Sequence, residues 1–372
     1  MIRPLYTAEC TLRDVGSSPG VDVERRVELV ARPPTEEVIT PDELRELLET
    51  VERPVHYIGM EISGPLHLGS LVITGYKLRD FLEAGFRTTV FLADWHSYLN
   101  DKLGGDWDRI RRAAKYYAEA FRAFAPGVDV VLGSELYSRT PDYWEWMVRF
   151  AKRVTLARAS RTLTIAGRKA GENLDMDQYI YPLMQATDIR ALGVDVAHAG
   201  MDQRKVHMLA REVFPRLGWR KPIAVHHRLL SGLLEPRSDG LDEDHEMDIR
   251  VSSKMSKSKP EGAVFIHDPP DVIEHKLLAA WCPQGVEEGN PVLEIARYIA
   301  FREGAGLRIE RPTKYGGDVV YGSYEELARD FREGKLHPMD LKRALAAVVN
   351  GVVDPVRRIL ASDPEYSRLL GA

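Results

Sequence analysis

Along roughly the first two thirds of the chain, short apolar runs alternate with longer stretches whose apolar residues recur every three or four positions. Residues 55–60, 88–93, 128–132 and 194–199 are short and largely apolar, and they predict buried strands. Residues 68–84, 107–124 and 201–214 carry the longer period and predict helices that follow three of those strands. Upstream, Thr40-Pro41-Asp42-Glu43 reads as an N-cap, a proline at the first helical position and a capping-box acid, opening a helix through 49. Strands alternating with amphipathic helices predict an α/β architecture, a doubly wound parallel sheet covered on both faces. In such a sheet ligands bind beyond the carboxyl ends of the strands, so the residues just past 60, 93 and 199 are expected to face one cleft.

After Asp268-Pro269-Pro270 the strand signal stops, and residues 272–280, 291–301, 324–332 and 338–349 predict a second, mainly helical unit. Two domains also suit the length, because 372 residues exceeds the size at which a single core stops growing. Between them, residues 234–253 are polar and acidic, with Pro236 and Gly240 as breakers, and read as a surface loop. Neither an internal repeat nor a low-complexity segment interrupts this plan.

A hydrophobic content of 44% with 29% charged residues is ordinary for a globular chain, and no apolar run approaches the roughly 20 residues of a bilayer crossing. The first residues lack a secretory pattern, so the expected location is the cytoplasm. Cys10 and Cys282 lie far apart without paired spacing, which predicts no protein-bound metal. The net charge of -5 argues against a general polyanion binder, yet 149–169 is a basic strip: Arg149, Lys152, Arg153, Arg158, Arg161, Arg168 and Lys169 occur with no acid between them.

Two segments carry candidate chemistry. In Gly64-Pro65-Leu66-His67-Leu68-Gly69-Ser70 a loop leaves a strand and enters a helix, aiming backbone N–H groups and the positive helix end at any bound anion. Gly69 lets a flat base lie against the backbone, and His67 can donate to a phosphate oxygen. In Lys254-Met255-Ser256-Lys257-Ser258-Lys259 three lysines and two serines form a cationic loop. Ammonium groups closing over a triphosphate stabilise the charge that grows when its α-phosphate is attacked.

Together and in this order, the two segments resemble the paired signatures of class I aminoacyl-tRNA synthetases. From about residue 31 onward the chain is similar to the archaeal and eukaryotic type of tyrosyl-tRNA synthetase. The resemblance implies ATP as substrate, accompanied by Mg²⁺, with His67, Lys254 and Lys257 as catalytic residues. It implies a nucleotide site of Gly59, Glu61, His67, Gly69, Ser70, Lys254, Met255, Ser256, Lys257 and Ser258. Tyr57 and Asp188 would hydrogen-bond a substrate phenol, while Tyr181, Gln185 and Gln203 would hold its amino group. Tyr181, Gln185 and Asp188 are four and three apart, so they share one face of a helix.

For RNA, the resemblance implies that Arg161 and Arg204 read the first acceptor-stem pair of tRNA(Tyr). Tyr315 and His337 would stack on an anticodon base, and Asp340 would accept from its edge; Asp340 would equally suit a first helical turn on electrostatic grounds alone. By the same likeness, residues 1–235 form a Rossmann-like catalytic domain with an N-terminal extension (about 1–30) and a connective and dimer-forming segment (about 134–180). Residues 236–264 carry the lysine loop, and 265–372 form the helical anticodon-recognition domain.

Ser70 departs from the family pattern, which ends in a second histidine, and Lys257 stands where this branch commonly has serine. Other readings are a tryptophanyl-tRNA synthetase, which has no use for both Tyr57 and Asp188 against a phenol, and a catalytically silent tRNA-binding paralogue.

Overall fold

The computed structural model describes residues 22–162, 175–242, 244–302, 306–363 and 366. Six strands form one sheet: β1 (Thr35–Ile39), β2 (Val55–Met60), β3 (Arg87–Leu92), β4 (Asp129–Leu132), β5 (Val196–Gly200) and β6 (Ile223–His227). Their order is β1-β6-β5-β2-β3-β4, parallel throughout except for β1, which runs antiparallel to β6 at the edge. The chain winds outward from β2 to β4, then returns to place β5 on the other side of β2. This reversal leaves a crevice between the carboxyl ends of β2 and β5, the ligand position of such sheets. The architecture is the expected doubly wound, Rossmann-like one.

Both faces of the sheet are covered. Ile58, Val90 and Leu92 pack with Leu71, Tyr76, Tyr117 and Phe121 of the helices Thr74–Glu83 and Trp107–Phe124 and the π-helical turn Leu68–Ile73. Tyr57, Phe91 and Ala197, one residue out of phase, pack with Met184, Ile189, Leu209 and Ala210 of the helices Met176–Ala191 and Arg204–Val213. Alternate side chains of one strand therefore enter opposite cores, as the two-residue period of a strand requires. The helix Pro41–Thr50 begins as its sequence indicates: Pro41 is its first residue, and the Thr40 hydroxyl accepts from the Glu43 N–H at 3.2 Å.

β1 and β6 have no counterpart among the predicted strands. Only Val38 and Ile39 of β1 are aliphatic, and β6 ends in His226-His227, which interrupts its apolar run. Both histidines are nonetheless buried.

Beyond residue 265 the helices Pro270–Ala279, Pro291–Ile295, Tyr324–Arg332 and Pro338–Ala361 dominate, with a small antiparallel pair, β7 (Leu307–Ile309) and β8 (Val319–Tyr321). The last helix outruns the expected end at 349, because Val353, Val356 and Leu360 continue its buried stripe past Pro355. Asp80 joins this part to the sheet. Its fully buried carboxylate takes Arg32, Arg302 and the Lys77 ammonium (2.8 Å), which also donates to the carbonyls of Leu29, Val30 and Arg32.

The acidic stretch 234–253 is not simply a surface loop. It ends in the helix His245–Ser253, and the buried Asp248 folds the preceding residues onto itself. Asp248 accepts from the backbone N–H groups of Gly240 (3.0 Å), Leu241 and Asp242 (3.1 Å) and from the Ser238 hydroxyl. These donors hold its carboxyl well below the usual range against the opposing effect of burial. The neighbouring acids are engaged too: Asp242 with Lys205, Asp239 with Arg237 and Lys259, Glu246 with Arg250, and Asp244 as the cap of the helix.

Candidate functional site

A cleft of about 660 Å³ opens at the carboxyl ends of β2 and β5. It is lined by Tyr57, Gly59 and Glu61 from β2 and its exit, by His67, Gly69 and Ser70, and by Tyr181, Gln185 and Asp188 of one helix. Gln203 and the segment from Lys254 to Ser258 complete it. The sequence-expected amino-acid and nucleotide residues thus converge on one continuous space.

His67 caps the helical turn that follows it. Its Nδ1 accepts from the Ser70 N–H at 3.3 Å, while the Ser70 hydroxyl accepts from the His67 N–H at 2.9 Å. Ser70, which looked like a gap in the motif, therefore closes a reciprocal cap around His67. Three-residue spacing between a helix-start residue and a serine was the available signal for it. Because Nδ1 accepts, the proton sits on Nε2. Burial, then the charges of Lys257 and Lys254, push this imidazole down to about 3, so it is a neutral donor. A Cβ on Gly69 would lie 3.3 Å from the His67 ring, so glycine keeps the ring in place.

The lysine loop is anchored at its base by backbone bonds, Met255 N–H to Leu230 at 2.8 Å and Gly232 N–H to the Ser253 carbonyl at 2.8 Å. Lys254 donates to Asp202 at 2.6 Å. Lys257 reaches across the cleft, donating to the Ser63 hydroxyl at 2.7 Å and the Tyr117 hydroxyl at 2.6 Å. Tyr117 in turn donates to the Gly64 carbonyl at 3.0 Å. Lys257 therefore latches the loop to the segment just before His67. Lys257→Ala is expected to speed amide hydrogen exchange over 256–259 at least about ten-fold, because it removes the two charge-assisted bonds of the ammonium. Unchanged protection there would show that the backbone bonds alone hold the loop.

At the closed end, Tyr57 and Asp188 are both 1% exposed. Burial raises the Tyr57 phenol, and the nearby Asp188 adds to the effect. Burial pushes Asp188 up to about 8, opposed by the Tyr143 hydroxyl, which donates to its Oδ1 at 2.7 Å. The other oxygen, Oδ2, lies 3.6 Å from His96 Nε2. Midway along the cleft the Tyr181 hydroxyl donates to Glu61 at 3.4 Å and the Gln185 amide to Gln203 Oε1 at 3.1 Å. Gln185 Oε1 is buried with no partner. Such an orphaned acceptor calls for a donor, which an N–H or O–H group of a ligand would supply.

The residues expected to contact RNA lie on several elements. Arg161 is exposed. Arg204 Nε lies 3.0 and 2.9 Å from the two oxygens of Glu37, which His226 also contacts at 2.8 Å. His226 and Arg204 together draw the Glu37 carboxyl down to about 2 although burial opposes them. In the basic strip Arg149 pairs with Glu145 and Arg158 with Glu212, while Arg168 and Lys169 lie outside the described residues. Tyr315 ends the 3₁₀ turn Thr313–Tyr315. His337 caps the last helix, accepting from the Met339 N–H at 3.2 Å, and Asp340 sits in that helix's first turn.

Sequence reasoning did not single out Asp202, Tyr143, Ser63 or Tyr117. Their contacts join segments 45 to 194 residues apart, which no local pattern encodes. Among the described residues no group of three or more His, Cys, Asp or Glu side chains converges to hold a metal ion, and no helix is long and apolar enough to cross a membrane.

The family model "tRNA synthetases class I (W and Y)" matches residues 50–354. The tyrosine--tRNA ligase of Thermococcus sibiricus is 48% identical over 369 residues, covering 94% of this chain and 98% of that protein. The crystal structure of tyrosyl-tRNA synthetase complexed with L-tyrosine from Pyrococcus horikoshii superposes with a TM-score of 0.88 at 46% identity, covering 94% and 99% of the two chains. The tryptophanyl-tRNA synthetase of Aeropyrum pernix shares the fold at a TM-score of 0.65 and 20% identity, covering 89% and 83%. The cleft and these likenesses agree, and the chain belongs to the class I tRNA synthetases of the tryptophan and tyrosine type, on their tyrosine--tRNA ligase branch.

Proposed function

We propose that this chain activates L-tyrosine with ATP and transfers it to the terminal adenosine of tRNA(Tyr). The observation that carries the reading is the order of groups along one cleft. Tyr57 and Asp188 are enclosed, Gln185 one helical turn from Asp188 bonds Gln203 and keeps its Oε1 unpartnered, and Asp202, next to Gln203, holds the more exposed Lys254 beside His67 and Lys257. That order matches a phenol, an ammonium and a triphosphate.

The substrate phenol donates to Asp188 and accepts from Tyr57, while Tyr181, Gln185 and Gln203 hold the ammonium. Its carboxylate is thereby directed toward the α-phosphate of an ATP held by Gly59, Glu61, Gly69, Ser70, Met255, Ser256 and Ser258. Attack forms tyrosyl-AMP and expels pyrophosphate. No side chain acts covalently. The neutral Nε2–H of His67 and the ammonium groups of Lys254 and Lys257 stabilise the developing charge, and positioning supplies the rest. Mg²⁺ accompanies the triphosphate and adds charge neutralisation there. The 2′-hydroxyl of the terminal adenosine then takes the tyrosyl group.

In the same reading the catalytic domain spans the described part of 1–235, residues 1–21 of the N-terminal extension and 163–174 of the dimer segment lying outside the described residues; 134–180 contributes to a homodimer, 236–264 carries the loop, and 265–372 reads the anticodon in the cytoplasm. Arg161 and Arg204 touch the acceptor stem; Tyr315, His337 and Asp340 touch the anticodon. Asp340→Ala is expected to lower aminoacylation about ten-fold while sparing adenylate formation, because it removes one bond to a splayed base. Equal loss in both steps would assign Asp340 to its helix alone.

ATP–pyrophosphate exchange with tyrosine, tryptophan or no amino acid tests the whole reading. Exchange that depends on tyrosine alone is the expected result. Exchange driven by tryptophan, or none at all, would overturn it.

A further inference from the structure

Five histidines lie buried around β5 and β6, and the proposed reaction uses none of them: His56, His198, His207, His226 and His227. One of the five reaches the cleft. His227 ends β6 opposite Gly200, the last residue of β5, and lines the cleft beside Asp202 and Leu229. Its Nδ1 lies 2.7 Å from His198 Nε2. His198 itself is fully enclosed, with its other nitrogen unpartnered and His56 and Phe81 against its ring.

Burial above all keeps both His198 and His227 uncharged, so the two rings share a single proton between them. If His227 donated, the remaining proton of His198 would sit on its enclosed Nδ1 as an N–H with no acceptor. If His198 donates from Nε2, only a bare lone pair is left inside, the cheaper outcome. That arrangement places the proton of His227 on Nε2. No hydrogen-bond partner for that nitrogen is present among the described residues. Leu229 Cδ2 and Asp202 Oδ1 flank its approach: a Cβ on Gly200 would lie 2.6 and 2.8 Å from them and 3.8 Å from Nε2, so glycine spares this nitrogen further crowding. The adjoining groups are Asp202 and, bonded to it, Lys254, which place this nitrogen in the nucleotide half of the cleft.

We infer that His227 is a ligand-contacting residue of the nucleotide half of the cleft, presenting Nε2–H as a neutral donor to an acceptor oxygen of the nucleotide, with buried His198 fixing its tautomer. The inference rests on the proposed nucleotide site. His198 is a positioning residue, because it never reaches the cleft.

Affinities of the full chain for ATP and for tyrosine, titrated separately by calorimetry, test this. His227→Leu is expected to weaken ATP binding about ten-fold and leave tyrosine binding within about two-fold. His227→Gln, whose amide N–H reaches the same place, should recover most of the loss. His198→Phe should weaken ATP binding about three-fold, although its ring is remote from the ligand. Unchanged ATP affinity in His227→Leu, equal loss for ATP and tyrosine, or a glutamine variant as weak as leucine would overturn the inference. If the leucine variant does not fold, His227→Asn replaces it: the shorter amide should fail where glutamine succeeds, and equal behaviour of the two would be fatal. Tyrosine-dependent exchange by the unmodified chain, run in parallel, separates the outcomes. Its absence overturns the proposed function, whereas its presence with an unaffected His227→Leu overturns only this role.

Discussion

Replacing Asp188 by alanine is expected to remove most of the discrimination between tyrosine and phenylalanine. Asp188 sits enclosed at the end of the cleft, and Tyr143 holds one of its oxygens at 2.7 Å. A phenylalanine ring entering there would leave Asp188 and Tyr57 facing an apolar edge, with their hydrogen bonds unmade and no water to restore them. The reference case for such a penalty is itself a tyrosyl-tRNA synthetase, at about 10⁵-fold. The measurement is the ratio of kcat/KM for tyrosine to that for phenylalanine in pyrophosphate exchange. A ratio unchanged by the substitution would place the phenol elsewhere.

The second large effect belongs to Lys254. Its ammonium is held by Asp202 at the edge of the cleft and is close enough to His67 to help keep that imidazole neutral. An ammonium fixed before the reaction needs no reorganisation when charge grows on the phosphoryl oxygens. Lys254→Ala is therefore expected to slow single-turnover formation of tyrosyl-AMP by about 10²- to 10³-fold, with tyrosine affinity nearly unchanged. A variant that binds ATP poorly but forms adenylate at the normal rate would make Lys254 a binding group only.

The strands at the centre of the sheet were legible because burial on both faces demands continuous apolar runs, which 55–60 and 88–93 supply. β1 was not legible, because an edge strand with an open face needs few apolar residues. β6 was hidden by His226 and His227, whose polarity suggests a surface, whereas each is buried through a partner 19 or 29 residues away. The same contrast runs through the site. Tyr181, Gln185 and Asp188 could be read as one face of one helix, since their spacing is local. Tyr143, which orients Asp188, and Asp202, which holds Lys254, could not, since each acts across a gap that only the folded chain closes. Ser70 was legible but pointed the other way: taken as a missing ligand contact, its hydroxyl accepts from the His67 N–H and closes the cap, while the backbone N–H at this position sets which nitrogen of His67 carries the proton.

The knot around Asp248 changes how the surface near the cleft appears to an approaching polyanion. Summed from the sequence, the stretch from Glu235 to Asp248 is a block of negative charge at the entrance, set to repel a nucleotide or an RNA strand. In the folded chain Asp248 faces inward onto backbone N–H groups, and Asp239, Asp242 and Glu246 each face a lysine or arginine. The charge of these four acids is met by partners within the fold. Lys254 and Lys257 follow six and nine residues after Asp248, so the acids nearest the mouth stand among cations, and composition alone overstates the barrier that a diffusing phosphate ester meets.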